Sequence, residues 1–111
     1  MRILVFSFFF SIFTAFGQDE KRLFAQGLFQ IENEQNMFHV QNTIKELPNV
    51  YMVRMEFSSQ RFFIVTKDLQ ELSEETLANW FGQYAQTVRC VQIGIHGQDK
   101  VNAFPFECSN H

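Results

Sequence analysis

The spacing of hydrophobic positions after Leu23 switches repeatedly between a period of two and a period of three to four. Apolar residues, either in runs or alternating with polar ones, occupy four segments, at 23–31, 50–57, 61–66 and 89–96. Runs and alternation of this length are typical of β-strands, and the second and third segments are close enough to form a hairpin. The pattern therefore predicts four strands, separated by two longer segments at 32–49 and 67–88.

Helical spacing is present in both of these longer segments. The first carries an apolar stripe at Met37, Val40, Ile44 and Leu47. This stripe predicts a helix from Asn33, whose side chain can cap the first turn, to the residue before Pro48. A second helix is expected to begin at the N-cap Ser73 and to carry its apolar stripe as far as Val88.

The resulting order of strand, helix, strand, strand, helix and strand is that of the ferredoxin-like βαββαβ unit. The sequence thus predicts an α+β fold. In this fold two helices cover one face of a four-stranded antiparallel sheet, and the other face is expected to stay open. Phe62 or Phe63 would lie on that open face, where an apolar surface would suit contact with a protein partner.

Two cysteines, Cys90 and Cys108, stand near the end of the chain. If the tail from about residue 98 folds back around Asp99, it brings the two cysteines opposite one another and adds a fifth strand at the edge of the sheet. In an oxidising compartment the pair predicts one disulfide. Separate thiols and a metal-binding pair remain as alternatives.

The first 17 residues, MRILVFSFFFSIFTAFG, have the layout of a cleavable signal peptide. One basic residue precedes an apolar run that is shorter than the roughly 20 residues a membrane-spanning helix needs. Cleavage after Gly17 would leave a single exported domain, residues 18–111, with no membrane span, in the periplasm or outside the cell. An uncleaved anchor is the alternative.

The charge of the chain restricts its partners. The formal net charge is −3, and it becomes −4 when Arg2 is removed with the signal peptide. Binding to nucleic acid requires clustered lysine and arginine, so a nucleic-acid partner is not expected and a protein partner is. Neither a glycine-rich phosphate loop nor a spaced catalytic set is present. The sequence therefore predicts that the chain is not an enzyme.

The segment IENEQNMFHVQNTIKELPNV, residues 31–50, resembles the opening of a heavy-metal-associated domain. In that family a Gly-Met-Thr-Cys-x-x-Cys loop leads into a helix that ends in a Leu-Pro-Gly-Val-like sequence. Anchored on Leu47-Pro48-Asn49-Val50, the resemblance extends over residues 23–96. It implies the ferredoxin-like fold, and it places the two metal-binding cysteines of the family at Asn33 and Asn36.

This resemblance implies a domain that has lost the usual copper site. Family members bind copper in its +1 state through two thiolates, and an asparagine amide oxygen is a poor substitute for a thiolate. We therefore expect no cofactor and a binding or interaction role. Copper or another soft metal held by non-cysteine ligands, with Met37 and His39 as candidates, is the alternative.

Overall fold

The computed structural model describes residues 21–108, and the predicted signal peptide at 1–17 lies outside them. The strands are β1 (Leu23–Leu28), β2 (Val50–Glu56), β3 (Arg61–Thr66) and β4 (Arg89–Ile95); the helices are α1 (Glu34–Lys45) and α2 (Glu74–Asn79), with a 3₁₀ helix at Gly82–Thr87. All strand pairs are antiparallel, in the order β2-β3-β1-β4. The predicted α+β class is confirmed, and the arrangement is compatible with a ferredoxin-like fold.

Helix α1 forms where the apolar stripe predicts it. The Asn33 side chain caps it, and Met37, Val40 and Ile44 are buried. Regular α-helical structure ends at Lys45, and a turn connects it to β2. The helix therefore contributes one face to the core and leaves the other in solvent.

The second helical segment differs from its prediction because it is divided in two. Ser73 caps α2 as expected, accepting a hydrogen bond from the Thr76 N–H at 3.1 Å. Helix α2 nevertheless ends at Asn79, and a 3₁₀ helix follows from Gly82. Gly82 has a φ of +61°, which an α-helix does not allow but glycine adopts without a steric penalty. The apolar stripe indicated helical structure correctly but gave no sign of this break.

The main core lies between the helices and the sheet. Its fully buried aromatic residues are Phe29, Phe62 and Phe81, and the Phe62 and Phe81 rings pack edge to face with centroids 5.0 Å apart. Gly27 makes room for Phe62, since a Cβ atom there would lie 2.9 Å from the Phe62 ring and 2.9 Å from the Arg89 carbonyl oxygen. Close approach of β1 to its neighbours therefore requires glycine at this position.

Strand β2 contains an irregularity that changes which residues face the core. Its register with β3 shifts between Val50 and Met52. Val50 is buried as a result, whereas Tyr51, which strict alternation would place on the same face as Met55, is 56% exposed. A shift of this kind places two residues of one strand opposite one residue of the other, so strict alternation fails there.

The sheet face opposite the helices is partly covered by the C-terminal tail, so it is less open than expected. Phe24 and Val65 are buried but lie outside the main core, and the Phe24 ring stacks on Phe63 at 5.9 Å. Phe24 passes close to Gly94, where a Cβ atom would lie 2.9 Å from its ring. This face therefore carries a small apolar layer of its own.

The prediction of a fifth edge strand is wrong, because residues 97–108 form turns and irregular backbone. The tail is instead attached to the sheet by side chains. Gln92 donates to the Lys100 carbonyl at 2.8 Å and accepts from the Asn102 N–H at 2.9 Å. Hydrogen bonds to glutamine side chains thus replace the backbone pairing that a strand would have made.

The predicted disulfide between Cys90 and Cys108 is present, with the two Cα atoms 5.4 Å apart. Cys90 has a φ of +58°, close to the point where the register between β1 and β4 shifts. The bond fastens the end of the tail to the start of β4.

None of the helices within residues 21–108 has the length and apolar character that a membrane-spanning helix requires.

Candidate functional site

The two positions that correspond to the family's metal-binding cysteines form a helix cap. The Oδ1 atom of Asn33 accepts a hydrogen bond from the Asn36 N–H at 3.0 Å. This bond satisfies one of the backbone donors that the first turn of a helix leaves without a partner. The loop is therefore a regular start to α1, with one asparagine as the cap and the other as a first-turn residue.

The two candidate non-cysteine ligands, Met37 and His39, lie in different environments. Met37 is 1% exposed and packs in the main core. His39 is exposed and faces a groove of about 370 Å³ that we call the helix groove. Its lining residues are Asn36, His39, Val40, Thr43, Trp80, Phe81, Gly82, Gln83 and Tyr84. The structure thus brings Asn36 and His39 to one surface, while Met37 belongs to the interior.

The helix groove separates α1 from the α2–3₁₀ segment, and its lining carries no carboxylate, lysine or arginine. Trp80 and Tyr84 are each half-buried and supply aromatic surface. The Thr43 hydroxyl donates to the His39 carbonyl at 2.9 Å, so it is engaged within the helix. The groove is an aromatic depression of the helix layer without carboxylate, lysine or arginine side chains.

A second depression, which we call the sheet groove, lies on the opposite face and has a volume of about 450 Å³. It is lined by Gln26, Met52, Arg54, Glu56, Arg61, Phe62 and Phe63. Alternate residues of β2 contribute to it, because successive side chains of a strand point to opposite sides of a sheet. In contrast to the helix groove, it combines apolar surface with three charged side chains.

Arg61 is held in place at the side of the sheet groove. Its Nε donates to the Glu56 carboxylate at 3.1 Å, and its guanidinium group lies 4.5 Å from the centre of the Phe104 ring in the tail. The Ser59 hydroxyl also donates to Glu56. That hydrogen bond, followed by the charge of Arg61, lowers the pKa of the Glu56 carboxyl from its ordinary value. Glu56 therefore remains ionised as a partner of Arg61.

Arg54 differs from Arg61 because it is exposed and makes no ion pair with any described residue. It lies directly across from Phe63 in the pairing of β2 with β3. Its charge helps to lower the pKa of Glu56, but only as the last of several contributions. Arg54 is thus the positive charge of the sheet groove that is most accessible to a ligand.

Sequence reasoning missed the polar network beneath the tail. Gln26 is buried, and its amide nitrogen donates both to the Gln92 side-chain oxygen at 2.8 Å and to the Asn102 carbonyl at 2.9 Å. A buried amide without partners would be costly, so this network ties the tail to the sheet. The only sequence signal was a glutamine within each of two apolar strands, which does not identify a partner.

Within residues 21–108 no group of three or more His, Cys, Asp and Glu side chains is placed to hold a metal ion. The phenylalanines expected on the open face divide between the two sides, with Phe63 stacked on Phe24 and Phe62 packed against Phe81 in the main core.

Comparison with known proteins finds no matching family, no matching curated protein and no matching solved structure. The fold and its surfaces therefore define the chain as a small disulfide-linked α+β domain, and the comparisons assign it to no family.

Proposed function

We propose that the chain is an exported, non-catalytic binding domain, similar to heavy-metal-associated domains but without their copper site. The observation that carries the proposal is the hydrogen bond from the Asn36 N–H to Asn33 Oδ1. Because of this bond, the residues at the two ligand positions act as the N-cap and a first-turn residue of α1. Binding then takes place through the surface of the domain, with a protein as the partner.

The chemistry of the aligned positions supports the loss of the copper site. Copper in its +1 state selects soft thiolate or thioether sulfur, and the amide group of asparagine offers none. Met37 has a thioether but lies in the core, so binding a metal with it would require the first turn of α1 to rearrange. His39 alone would leave a soft ion with one exposed ligand.

The disulfide supports export of the domain. Disulfides persist in oxidising compartments and are rare where glutathione keeps thiols reduced. Together, the Cys90–Cys108 bond and the signal-like segment at 1–17 favour a location in the periplasm or outside the cell.

Titration with copper in its +1 state, in competition with a chromophoric chelator, tests the proposal. The protein of residues 18–111 should not compete for the metal. The double variant Asn33→Cys with Asn36→Cys restores the spacing of the family's ligands and should take up one equivalent. Copper uptake by this variant would show that the assay detects binding and that residues 33 and 36 correspond to the ligand positions of the family.

His39→Ala serves as the third arm of the titration. Stoichiometric copper binding by the unmodified domain would overturn the proposal, whatever this variant does. If His39→Ala then abolished binding, the alternative of a copper protein with non-cysteine ligands would be supported. If binding persisted, the ligands would have to be sought among other residues.

A further inference from the structure

Charge is distributed unevenly among the segments of the described chain. The segments that contain the helices, 32–47 and 68–87, carry seven carboxylates and one lysine. The strands, their turns and the tail, which make up the rest of 21–108, carry seven lysines and arginines and three carboxylates. The strands, turns and tail therefore carry a net positive charge in a protein whose overall charge is negative, and the sheet groove contains two of their arginines, Arg54 and Arg61. Accessible positive charge of this kind attracts negatively charged partners.

The sheet groove adds apolar contact to this positive charge. Met52 is 37% exposed and lies beside Arg54 along the same strand, while Phe63 supplies half-buried aromatic surface. Arg61 is already oriented by Glu56 and by the Phe104 ring. A ligand with a carboxylate near an apolar side chain would match Arg54 and Met52 with little reorganisation of the groove.

The groove borders a free sheet edge. Strand β2 pairs only with β3, and no strand pairs with its outer edge within residues 21–108. Two N–H groups of β2 have partners outside the sheet, since Val50 donates to the Leu47 carbonyl at 3.2 Å and Met55 donates to the Gln41 side chain at 2.8 Å. Edge strands of this kind accept an extended peptide as an additional strand, and neighbouring pockets then select its side chains.

We propose that the sheet groove and the adjoining edge of β2 bind an acidic, extended segment of a partner protein. A carboxylate of the segment pairs with Arg54, and an apolar side chain next to it packs against Met52 and Phe63. This inference rests on the proposed function, that the chain is a binding domain, and it names the binding surface and the chemistry of the partner.

A nucleic acid fits the same surface less well. Recognition of single strands depends on accessible aromatic rings for stacking, together with phosphate contacts along a groove. Here Phe62 faces the core, and Phe63 stacks on Phe24 and is half-buried, so the groove offers one partly exposed ring and not the row of rings that stacked bases need. The acidic helix layer would also repel a long polyanion, whereas a short acidic segment need only contact the positive side.

Fluorescence anisotropy with labelled nine-residue peptides tests the inference. The probe alternates glutamate with valine, and the control peptide carries lysine in place of every glutamate. The glutamate peptide should bind the domain, more weakly as salt is added, and the lysine peptide should not. Arg54→Glu should weaken binding by about tenfold or more, since it removes the pairing charge and introduces repulsion.

Lys45→Glu is the matched control, because it makes the same change in net charge from the last turn of α1, on the helix side. It should leave the affinity within about twofold of the starting value. An equal loss in both variants would overturn the inference, since it would indicate a general charge effect. So would absence of binding by the glutamate peptide, or tighter Arg54-dependent binding of a nine-nucleotide single strand.

The two proposals fail separately in these assays. Failure of the peptide to bind would overturn the sheet groove as a site for acidic segments and would leave the copper titration unchanged. Copper binding by the unmodified domain would overturn the proposed function whatever the peptide result. Circular dichroism of both charge variants should match that of the unmodified domain, because both substituted side chains are exposed.

Discussion

The two faces of the sheet are organised by different interactions. The helix side is held by burial, with the Phe62 and Phe81 rings packed edge to face in the main core. The tail side is held by a glutamine network and one disulfide, around a smaller apolar layer of Phe24 and Val65. A domain of this size has little surface to bury, and a covalent link is a common way to fasten a segment that forms no regular structure.

Charge follows the same division. The helix layer is acidic, and the lining of its groove has no carboxylate, lysine or arginine, whereas the sheet groove contains Arg54 and Arg61. The side held by polar contacts and the disulfide is thus also the side on which we propose that a partner binds. Matched substitutions on the two sides test this division.

The largest expected effect comes from two adjacent phenylalanines that point to opposite sides. Phe62→Ala should lower the free energy of unfolding by about 4 kcal/mol, because it empties a fully buried position in the main core. Phe63→Ala should cost about half as much, roughly 2 kcal/mol, since that ring is only half-buried. Urea denaturation of both variants provides the measurement, and equal losses would contradict the division into a main and a minor layer.

Loss of the disulfide should have the next largest effect. Replacing Cys90 and Cys108 by serine opens a loop with a sequence separation of 18 residues, and should lower the unfolding free energy by about 3 kcal/mol. Thermal unfolding of the unmodified domain and of the double variant, with and without reductant, measures this loss of stability. Reductant should destabilise the unmodified domain by a similar amount and have no effect on the double variant.

The helix cap should have a moderate effect. Asn33→Ala removes the acceptor for the Asn36 N–H and should cost about 1 kcal/mol of stability, whereas Asn33→Asp keeps an oxygen there and should cost little. Asn36→Ala is the internal control, because only its backbone takes part in the cap. Chemical denaturation of the three variants would contradict the assignment if Asn36→Ala proved the most damaging.

Much of the fold follows from local patterns in the sequence. Alternation and helical spacing predict the strands, α1 and the cap residues Asn33 and Ser73, because each of these depends on neighbours within a few positions. The cysteine pair was predictable because a disulfide needs only a turn that brings the two residues together. Local consistency of this kind is what makes a small domain foldable.

The departures from the sequence prediction have non-local causes. The register shift near Tyr51 depends on how β2 pairs with β3. The tail was predicted to fold back around Asp99 as an edge strand, yet two of its backbone groups bond the Gln92 side chain instead. The charged sheet groove was not foreseen, because its members come from three strands.

The smallest expected effect concerns Glu56, which belongs to the tail side. Its pKa is lowered in the folded domain, so it stabilises the fold at pH values above its unfolded pKa, and this contribution is lost as the pH falls through the folded pKa. Glu56→Gln should therefore lower the melting temperature slightly at neutral pH, and the difference should vanish in acid. A difference that grew as the pH fell would contradict the assigned ion pair with Arg61.

The most direct test of the account is to map the binding surface by amide chemical-shift changes on the ¹⁵N-labelled domain of residues 18–111, with the glutamate–valine peptide as ligand. If the sheet groove is the binding surface, shifts are expected in β2 around Met52 and Arg54 and in β3 around Phe63, while the amides of His39, Trp80 and their neighbours in the helix groove stay unchanged. Shifts confined to the helix groove would contradict this expectation.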